Sequence, residues 1–252
     1  MTHPRGTVVL PQPEGWDQLL HTSGGVMTVE TADSRWVIPP HRAVWAPSGC
    51  PHAIELTGRV RLRSLYLRQG LAGLDGGARA VNVSPLLREL VLYAVEEAPL
   101  WLDEPRHERL IGVLVDQIEL LTTVPMQLPT PQDPRARAVA DAIVAHPGAD
   151  RPLAALARDA GASVRTVERL FSVETGLTMQ RWRTRARLLA GLRRMAAGDS
   201  VSTAAASSGY SSASAFGAAF RQELGTTPRR YLEGGSEKEI QRVSRRSPVG
   251  WV

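Results

Sequence analysis

The C-terminal part of the chain contains the same local pattern twice, over residues 153–176 and again over residues 201–225. Each copy has a short apolar helix, a turn that contains glycine, and a second helix with an aromatic residue on its inner face. A serine, Ser163 in the first copy and Ser212 in the second, stands where the second helix needs an N-cap. This is the helix-turn-helix pattern, which places its second helix in a major groove of DNA. Two copies predict that one chain contacts two groove segments.

The second helix of the first unit has a buried face and an outward face. Val167, Leu170 and Phe171 share one side and are predicted to be buried. On the outward side, arginine can form paired hydrogen bonds with guanine, and glutamate can accept one from cytosine. We therefore expect this helix to carry most of the sequence specificity. Its predicted DNA-contacting residues are Ser163, Arg165, Thr166, Glu168 and Arg169.

The second helix of the second unit presents few long polar side chains. It can contact phosphates and thymine methyl groups, so it is predicted to add affinity and to fix the register of the protein on DNA. Its predicted DNA-contacting residues are Ser212, Ser214, Gly217, Ala218 and Arg221. The alternative for both helices is that their outward side chains are only solvated or touch only phosphates.

Charge is distributed unevenly along the chain. Residues 129–252 contain 19 Lys and Arg against 11 Asp and Glu, whereas residues 1–128 contain 11 against 14. The half with the two helix-turn-helix patterns is the basic one, as a polyanionic partner requires. A helix predicted over 178–197 connects the two units, and we expect some of its arginines to reach phosphates. These are Arg181, Arg183, Arg185, Arg187, Arg193 and Arg194.

Two segments of this half resemble one known family. GYSSASAFGAAFRQELGTTPRRYL at 209–232 is similar to the signature of AraC/XylS-type transcriptional regulators, and DAGASVRTVERLFSVETGLT at 159–178 resembles their first helix-turn-helix unit. The resemblance implies seven helices with two such units joined by a long helix, and binding to double-stranded promoter DNA. RNA polymerase is a further partner if the protein is an activator. By position in the motif, the resemblance implies base contacts at Arg165, Thr166, Glu168, Arg169, Ser212, Ser214, Gly217 and Ala218.

Residues 5–68 alternate between short apolar runs and turns rich in Gly, Pro, Asp and Ser. Many short strands at this spacing indicate a β-sandwich or a barrel. The segment 27–38 is predicted to form a hairpin that turns near Asp33. The predicted strands are 7–10, 18–21, 26–30, 35–38, 43–46, 53–56 and 61–66.

The rest of the chain is predicted to be helical apart from one linker and the tail. A helix begins after Ser84, with Leu86, Leu87, Leu90, Val91 and Ala94 on one face, and a second spans about 104–121. The apolar stripe of one helix would pack on the barrel. The stripe of the other helix could pair with its counterpart in a second copy of the chain, or it could also pack on the barrel. The stretch 123–134 holds four prolines, which excludes helix and regular sheet. Further helices are predicted at 135–146, 153–160, 163–174, 178–197, 202–208, 212–224 and after Pro228.

The strand region resembles a cupin. Gly6, Gln12, Pro13, Glu14, Gln18 and Gly25 have the spacing of the first cupin motif, and the segment 47–52 matches the core of the second. The positions of the cupin metal ligands hold Gln12, Glu14, Gln18 and His52, which leaves one imidazole and one carboxylate. Zinc and similar metals favour three or more strong ligands, so we expect neither a metal nor another cofactor. The candidate residues for an effector pocket are Gln12, Glu14, Gln18, Trp45, His52 and Tyr66.

Together these patterns predict an α+β fold with two domains. A cupin-like β-barrel and two helices fill 1–122, a linker covers 123–134, an all-α domain with both helix-turn-helix units covers 135–232, and a disordered tail covers 233–252. The predicted function is a sequence-specific transcriptional regulator, without enzymatic activity, that senses a small effector and forms a homodimer. The alternatives are a metal-dependent cupin enzyme fused to a DNA-binding tether, and an architectural DNA binder without an effector.

Cysteine content and hydropathy indicate the cellular compartment in which the protein is expected. The chain has one cysteine, Cys50, so no intrachain disulfide can form. No run of about 18 apolar residues suggests a membrane span, and the N-terminus lacks the pattern of a signal peptide. We therefore expect a cytoplasmic protein without a membrane partner.

Overall fold

A computed structural model describes residues 2–3, 6–8, 10–22, 24–58, 60–123 and 127–233. The N-terminal half is built of strands and two helices, and the C-terminal half is helical, which confirms the mixed composition and the order of the two halves. The strands are β1 (Thr2–His3), β2 (Gly6–Val8), β3 (Trp16–Thr22), β4 (Val26–Thr31), β5 (Ser34–Ile38), β6 (Arg42–Ala46), β7 (His52–Thr57), β8 (Val60–Arg68), β9 (Arg79–Asn82) and β10 (Gln127–Pro129).

The strands form two antiparallel sheets. The first has the order β1-β8-β3-β6-β9 and the second the order β10-β5-β4-β7-β2. The predicted hairpin is confirmed: β4 pairs with β5, with Glu30 opposite Arg35 across a turn at Asp33. Strand pairing within the described residues yields two separate sheets, and a closed cupin barrel is not among the pairings found.

Side chains that alternate along β3 pack in opposite directions, as the strand period of two requires. Leu19 packs with Trp45 and Leu67 in a core shared with two helices. The neighbouring Leu20 packs with Met27 and the inward residues of the second sheet. The first sheet is therefore buried on both faces, one against the second sheet and one against helices.

The two helices on the first sheet are α1 (Pro85–Glu97) and α2 (Pro105–Glu119). Ser84 caps α1 by accepting a hydrogen bond from the backbone N–H of Leu87 at 3.1 Å. The apolar stripes of both helices lie in the core with the sheet, through Leu87, Val91, Ala94, Leu114 and Ile118. The prediction that Leu86 belongs to the buried face is wrong, because that side chain is exposed. Both stripes pack on the chain's own sheet.

The expectation that 123–134 contains no regular sheet is also wrong. Gln127 to Pro129 form β10, an edge strand that pairs with β5 and extends the second sheet. Pro129 is tolerated because it ends an edge strand, where the missing N–H breaks no interior pairing. The connection is continued by Thr130, whose N–H donates to the Asp33 carbonyl at 2.7 Å.

The C-terminal helices match the predicted ranges to within one or two residues. Their bounds are α3 (Pro134–Ala145), α4 (Leu153–Asp159), α5 (Val164–Thr175), α6 (Met179–Ala196), α7 (Val201–Ser207), α8 (Ala213–Leu224) and α9 (Pro228–Glu233). Their core contains Phe171, Trp182, Leu188, Phe216 and Phe220. The predicted tail 233–252 lies outside the described residues from 234 onward.

Candidate nucleic-acid interface

The first helix-turn-helix unit is α4 and α5, joined by a tight turn. Gly161 adopts a left-handed φ of 67°, a conformation that costs other residues free energy. Ser163 then caps α5, its Oγ accepting a hydrogen bond from the Thr166 N–H at 3.1 Å. Val167 and Phe171 are fully buried on the inner face of the helix. The local chemistry of this segment therefore fixes both where α5 begins and which side it buries.

The second unit, α7 and α8, is built in the same way. Gly209 has a φ of 81° in the turn, and the Oγ of Ser212 accepts a hydrogen bond from the Ala215 N–H at 3.1 Å. Phe216 and Phe220 are fully buried. The left-handed Gly225 ends the helix. Both second helices thus have one anchored face and one free face.

The free faces carry the residues predicted to contact DNA. Thr166 and Gly217 are half-buried, and the others are exposed: Ser163, Arg165, Glu168, Arg169, Ser212, Ser214, Ala218 and Arg221. Because the hydroxyls of Ser163 and Ser212 already cap their helices, they are only partly available to a ligand. No carboxylate among the described residues forms an ion pair with Arg165, Arg169 or Arg221. These cations are therefore free to meet an anion.

The arginines of α6 are in a different situation, because all six are engaged within the chain. Arg183 and Arg187 donate to backbone carbonyls of the α3–α4 connection, Arg187 to that of Pro147 at 2.9 Å. Arg193 forms an ion pair with Glu55 of β7, and Arg194 with Asp199. These contacts attach α6 to its neighbours. The expectation that some of these arginines reach phosphates stays a prediction, since the Arg181 and Arg194 side chains are still 57% and 53% exposed.

Arg181 and Arg185 share one carboxylate, Glu223 of α8. Glu223 Oε2 lies 3.1 Å from Arg181 Nε, and its Oε1 lies 2.5 Å from Arg185 Nη2. The Arg185 and Glu223 side chains are only 12% and 9% exposed. This ion pair, which links α6 to α8, fixes the second DNA-facing helix on the connecting helix.

The helical half also packs on the second sheet. Trp182 donates its indole N–H to the Pro129 carbonyl at 2.7 Å, and Arg185 Nη1 donates to the Gln127 carbonyl at 3.0 Å. Both acceptors belong to β10. The strand in the predicted linker is therefore clamped between β5 and α6, and the connection between the two halves is held in one place.

A second contact between the halves involves α9. The Arg42 guanidinium lies 3.8 Å from the centre of the Tyr231 ring, and the His41 ring meets the same tyrosine edge-on at 6.3 Å. Burial raises the pKa of Tyr231 to about 12. Burial, reinforced by the positive charge of Arg42 and by His21, lowers the pKa of His41 to about 4. His41 is therefore neutral in the folded protein at physiological pH.

The free energy of unfolding is expected to decrease as the pH falls below 6.5. In the unfolded chain His41 binds a proton near pH 6.5, whereas in the folded chain its imidazole stays neutral until the pH falls to about 4. Because the folded-state pKa is the lower one, this stabilisation is complete above pH 6.5 and is lost progressively toward pH 4. It amounts to at most about 3 kcal/mol. Denaturant unfolding of the full chain across this range measures it.

The variant His41→Gln removes this titration, and its free energy of unfolding should change less steeply with pH than that of the wild type. His146→Gln is the matched control, because His146 is exposed at the end of α3. If the curves of His41→Gln and the wild type run parallel between pH 6.5 and 4, burial of His41 is not the cause of the acid sensitivity.

Four of the six predicted effector residues meet at one end of the sandwich. Gln12, Gln18, His52 and Tyr66 line a cavity of about 120 Å³, called here the inner cavity. The Gln12 amide exchanges two hydrogen bonds with the backbone of His52, at 2.6 and 3.2 Å. Gln18 donates to Ser64, and Tyr66 to the Pro11 carbonyl. The amides of Gln12 and Gln18 and the Tyr66 hydroxyl are thus satisfied by the protein itself, whereas His52 Nε2 is buried without a described hydrogen-bond partner.

The structure does not bring the other two candidates to that cavity. Glu14 is exposed, and Trp45 is fully buried on the opposite face of the first sheet, against α1 and α2. Trp45 pairs with Leu19, and residues in register share a face, so it points away from Gln18. Within the described residues, no group of three or more His, Cys, Asp or Glu side chains is arranged to hold a metal ion.

The single cysteine borders the inner cavity. Burial raises the pKa of the Cys50 thiol above its ordinary value. The thiolate is the reactive form, so this environment disfavours the reactivity that a redox sensor requires. In the described part of the chain, no helix has the length and apolar character needed to cross a membrane.

Two helix-turn-helix units share one helical core and present the unpaired arginines described above, which is the arrangement of a DNA-binding protein. Comparison with known proteins identifies the family. Residues 156–234 match a family described as helix-turn-helix domain. The HTH-type transcriptional regulator NimR of Escherichia coli is 31% identical over 215 residues, which cover 85% of this chain and 79% of NimR. The chain belongs to the AraC-type family of helix-turn-helix transcriptional regulators.

Other relatives are more distant. The HTH-type transcriptional regulator RipA of Corynebacterium glutamicum is 26% identical, over 86% of this chain and 62% of RipA. Among solved structures, ToxT from Vibrio cholerae is 11% identical, with 91% of this chain and 94% of ToxT covered at a TM-score of 0.40. The DNA-binding domain of AdpA, solved with a target DNA, is 29% identical. The match covers 45% of this chain and 97% of that domain, at a TM-score of 0.36.

Proposed function

We propose that this regulator reads its operator mainly through α5, with Arg165, Thr166, Glu168 and Arg169 meeting base edges. The observation that carries the proposal is a contrast between arginines. Those of α6 are engaged in contacts within the chain, whereas Arg165 and Arg169 are exposed and beyond ion-pairing distance of any described carboxylate. Glu168, between them in sequence, adds an acceptor. A face with both donors and an acceptor can discriminate between base pairs.

The free face of α8 is assigned a supporting role. Gly217 and Ala218 let the helix backbone approach DNA closely, and Ser214 and Arg221 can contact phosphate. Such contacts fix position and register without distinguishing sequences. The serines that cap both helices, Ser163 and Ser212, also stand where backbone N–H groups face outward and favour an anion.

The N-terminal half is assigned to effector sensing, on a cupin-like scaffold that spans about residues 1–122 and is completed by β10. An enzymatic role for it has little support, because Gln12 and Gln18 use their amides in internal hydrogen bonds where a metal-dependent cupin would need strong ligands. We further propose a homodimer, since two copies on repeated sites gain effective affinity. RNA polymerase is the additional partner of an activating complex.

The substitution Arg169→Ala is expected to weaken binding to the preferred operator by about 1–3 kcal/mol and to relax the preference at one base pair. Arginine makes paired hydrogen bonds to guanine that alanine cannot replace. The operator is first obtained by selection from a random pool of duplex DNA with the full chain. Affinities for that operator and for single-base variants are then measured at fixed salt.

Arg109→Ala is the matched control, because it removes the same charge from an exposed position on α2, in the other half of the chain. It should leave both affinity and base preference unchanged. If Arg169→Ala weakens binding equally on every sequence, Arg169 contacts phosphate and α5 does not read bases through it. If selection recovers no preferred sequence at all, sequence-specific regulation is the wrong function.

A further inference from the structure

A second and larger cavity lies on the outer side of the first sheet. It has a volume of about 580 Å³, opens to solvent, and is bordered by β8, the C-terminal part of α1, the α1–α2 connection and α2. We call it the outer cavity. Its walls are formed by Leu65, Leu67, Ala94, Val95, Ile111 and Leu114. Of the six candidate residues for an effector pocket named above, Tyr66 alone lines it.

We infer that the outer cavity binds a small, uncharged molecule with an aromatic or otherwise apolar body. Calling this ligand the effector rests on the proposed sensing function. The binding site itself rests on the shape and chemistry of the cavity.

Size separates the two cavities. The inner cavity, at about 120 Å³, has the volume of about four water molecules at ~30 Å³ each. The outer cavity falls within the range of roughly 300–1,000 Å³ that is typical of small-molecule sites. Only the outer one can accept an organic molecule without first being opened.

The walls of the outer cavity determine the chemistry of its ligand. Trp16 and Trp101 stand at the border with 40% and 60% of their surfaces exposed, which is unusual for such large apolar side chains. Burying them against an apolar ligand is favourable, and aromatic rings gain further from stacking. The two indoles thus supply exposed apolar surface that a ligand would cover.

Charge argues for an uncharged ligand. Arg68 and Asp103 both border the outer cavity, one of each sign, and both side chains are exposed to water. Their fields oppose each other, so neither an anion nor a cation is favoured. Two hydroxyls near the wall are already engaged, because Tyr66 donates to the Pro11 carbonyl at 2.7 Å and Ser64 accepts from the Gln18 amide. A buried charge on the ligand would therefore lack a partner, which is costly.

Titration of the full chain with N-phenyl-1-naphthylamine, an uncharged dye that fluoresces in apolar surroundings, tests the inference. We expect one dye per chain. Val95→Phe, which fills the cavity, should weaken binding about tenfold or more, equivalent to about 1.4 kcal/mol. Val113→Phe makes the same change on an exposed face of α2 outside the cavity and should have no effect. Binding that is absent, or equal in both variants, overturns the site.

A second pair of variants changes exposed side chains, where a substitution disturbs folding less than one inside the cavity. Trp101→Ala removes an exposed aromatic from the border and should weaken dye binding several-fold, whereas Leu120→Ala, also exposed and outside the cavity, should not. Sedimentation of the same samples tests the competing possibility that a second copy of the chain covers this cavity. If the chain binds no dye but dimerises through this face, so that Trp101→Ala yields monomers, a second copy fills the cavity and the inference is wrong.

DNA affinity measured on the same samples keeps this inference separate from the proposed function. A wild-type chain that binds operator but no dye contradicts the inference alone. A chain that binds dye but no operator contradicts the proposed reading of DNA and leaves the site standing. A dye that binds without changing operator affinity leaves the site standing but removes its claim to be the effector site.

Discussion

Replacing Gly191 with leucine is expected to lower the free energy of unfolding of the helical half by about 3 kcal/mol or more. A Cβ added at Gly191 would lie 2.6 Å from Phe216 Cε2 and 3.0 Å from Ser208 Oγ. Both of these neighbours are fully buried, so neither can turn outward to make room. The helices α6 and α8 would have to separate. Denaturant unfolding followed by circular dichroism measures the loss.

Gly112→Leu is the matched control for this prediction. Gly112 also lies within a helix, α2, but no heavy atom approaches a Cβ built there within 4 Å. Leucine has the higher helix propensity by somewhat less than about 1 kcal/mol, so this variant should be neutral or slightly stabilised. If Gly191→Leu is as stable as Gly112→Leu, the close approach of α6 and α8 is not as tight as the structure indicates.

The contrast between these two glycines shows what sequence could and could not predict here. The helix-turn-helix units were predictable because their signals are local: Ser163 and Ser212 as caps, glycine in each turn, and aromatic residues at helical spacing. Each of these acts within a few residues of where it stands. Gly191 and Gly112 look alike in sequence, because the neighbour that distinguishes them, Phe216, lies 25 residues away along the chain.

The errors in the N-terminal half have the same origin. The proline-rich stretch becomes strand β10 because β5 offers it an open edge and α6 covers it, and neither partner is adjacent in sequence. Trp45 faces α1 and α2 because register with β3 decides which side of the sheet it occupies. The cupin spacing pointed to the inner cavity, whereas the larger cavity arises where α1 and α2 meet β8. Such pairings are set by tertiary packing.

The arginines of α6 illustrate the same limit for function. A run of arginines on a helix beside two DNA-reading units predicts phosphate contacts from charge alone. The structure gives each of them an acceptor inside the protein, including Glu55 of β7 for Arg193 and Glu223 of α8 for Arg181 and Arg185. The acceptors are spread over other elements, so no spacing rule could find them. Net charge therefore could not show which arginines are already engaged within the protein.

The most consequential of these internal ion pairs is the one at Glu223. Glu223→Gln is expected to lower the free energy of unfolding by about 3 kcal/mol, because it leaves the largely buried charge of Arg185 without a counter-ion. Operator affinity should fall as well, since α8 loses its ionic attachment to α6. Unfolding and DNA binding of the full chain measure the two effects. Glu89→Gln is the control, because Arg88 and Glu89 are 51% and 62% exposed and such pairs contribute about 0–1 kcal/mol.

A double-mutant cycle separates the ion pair from the other contacts of Arg185, which also donates to the Gln127 carbonyl in β10. Replacing Arg185 with Met and Glu223 with Leu together removes both charges. The double variant should lose less stability than the sum of the two single changes, because the cost of each single change includes a stranded charge. Strict additivity would mean that the two side chains act independently. In that case the Arg185–Glu223 ion pair does not hold α8 on α6, and any loss of operator affinity in Glu223→Gln comes from its other contact, with Arg181.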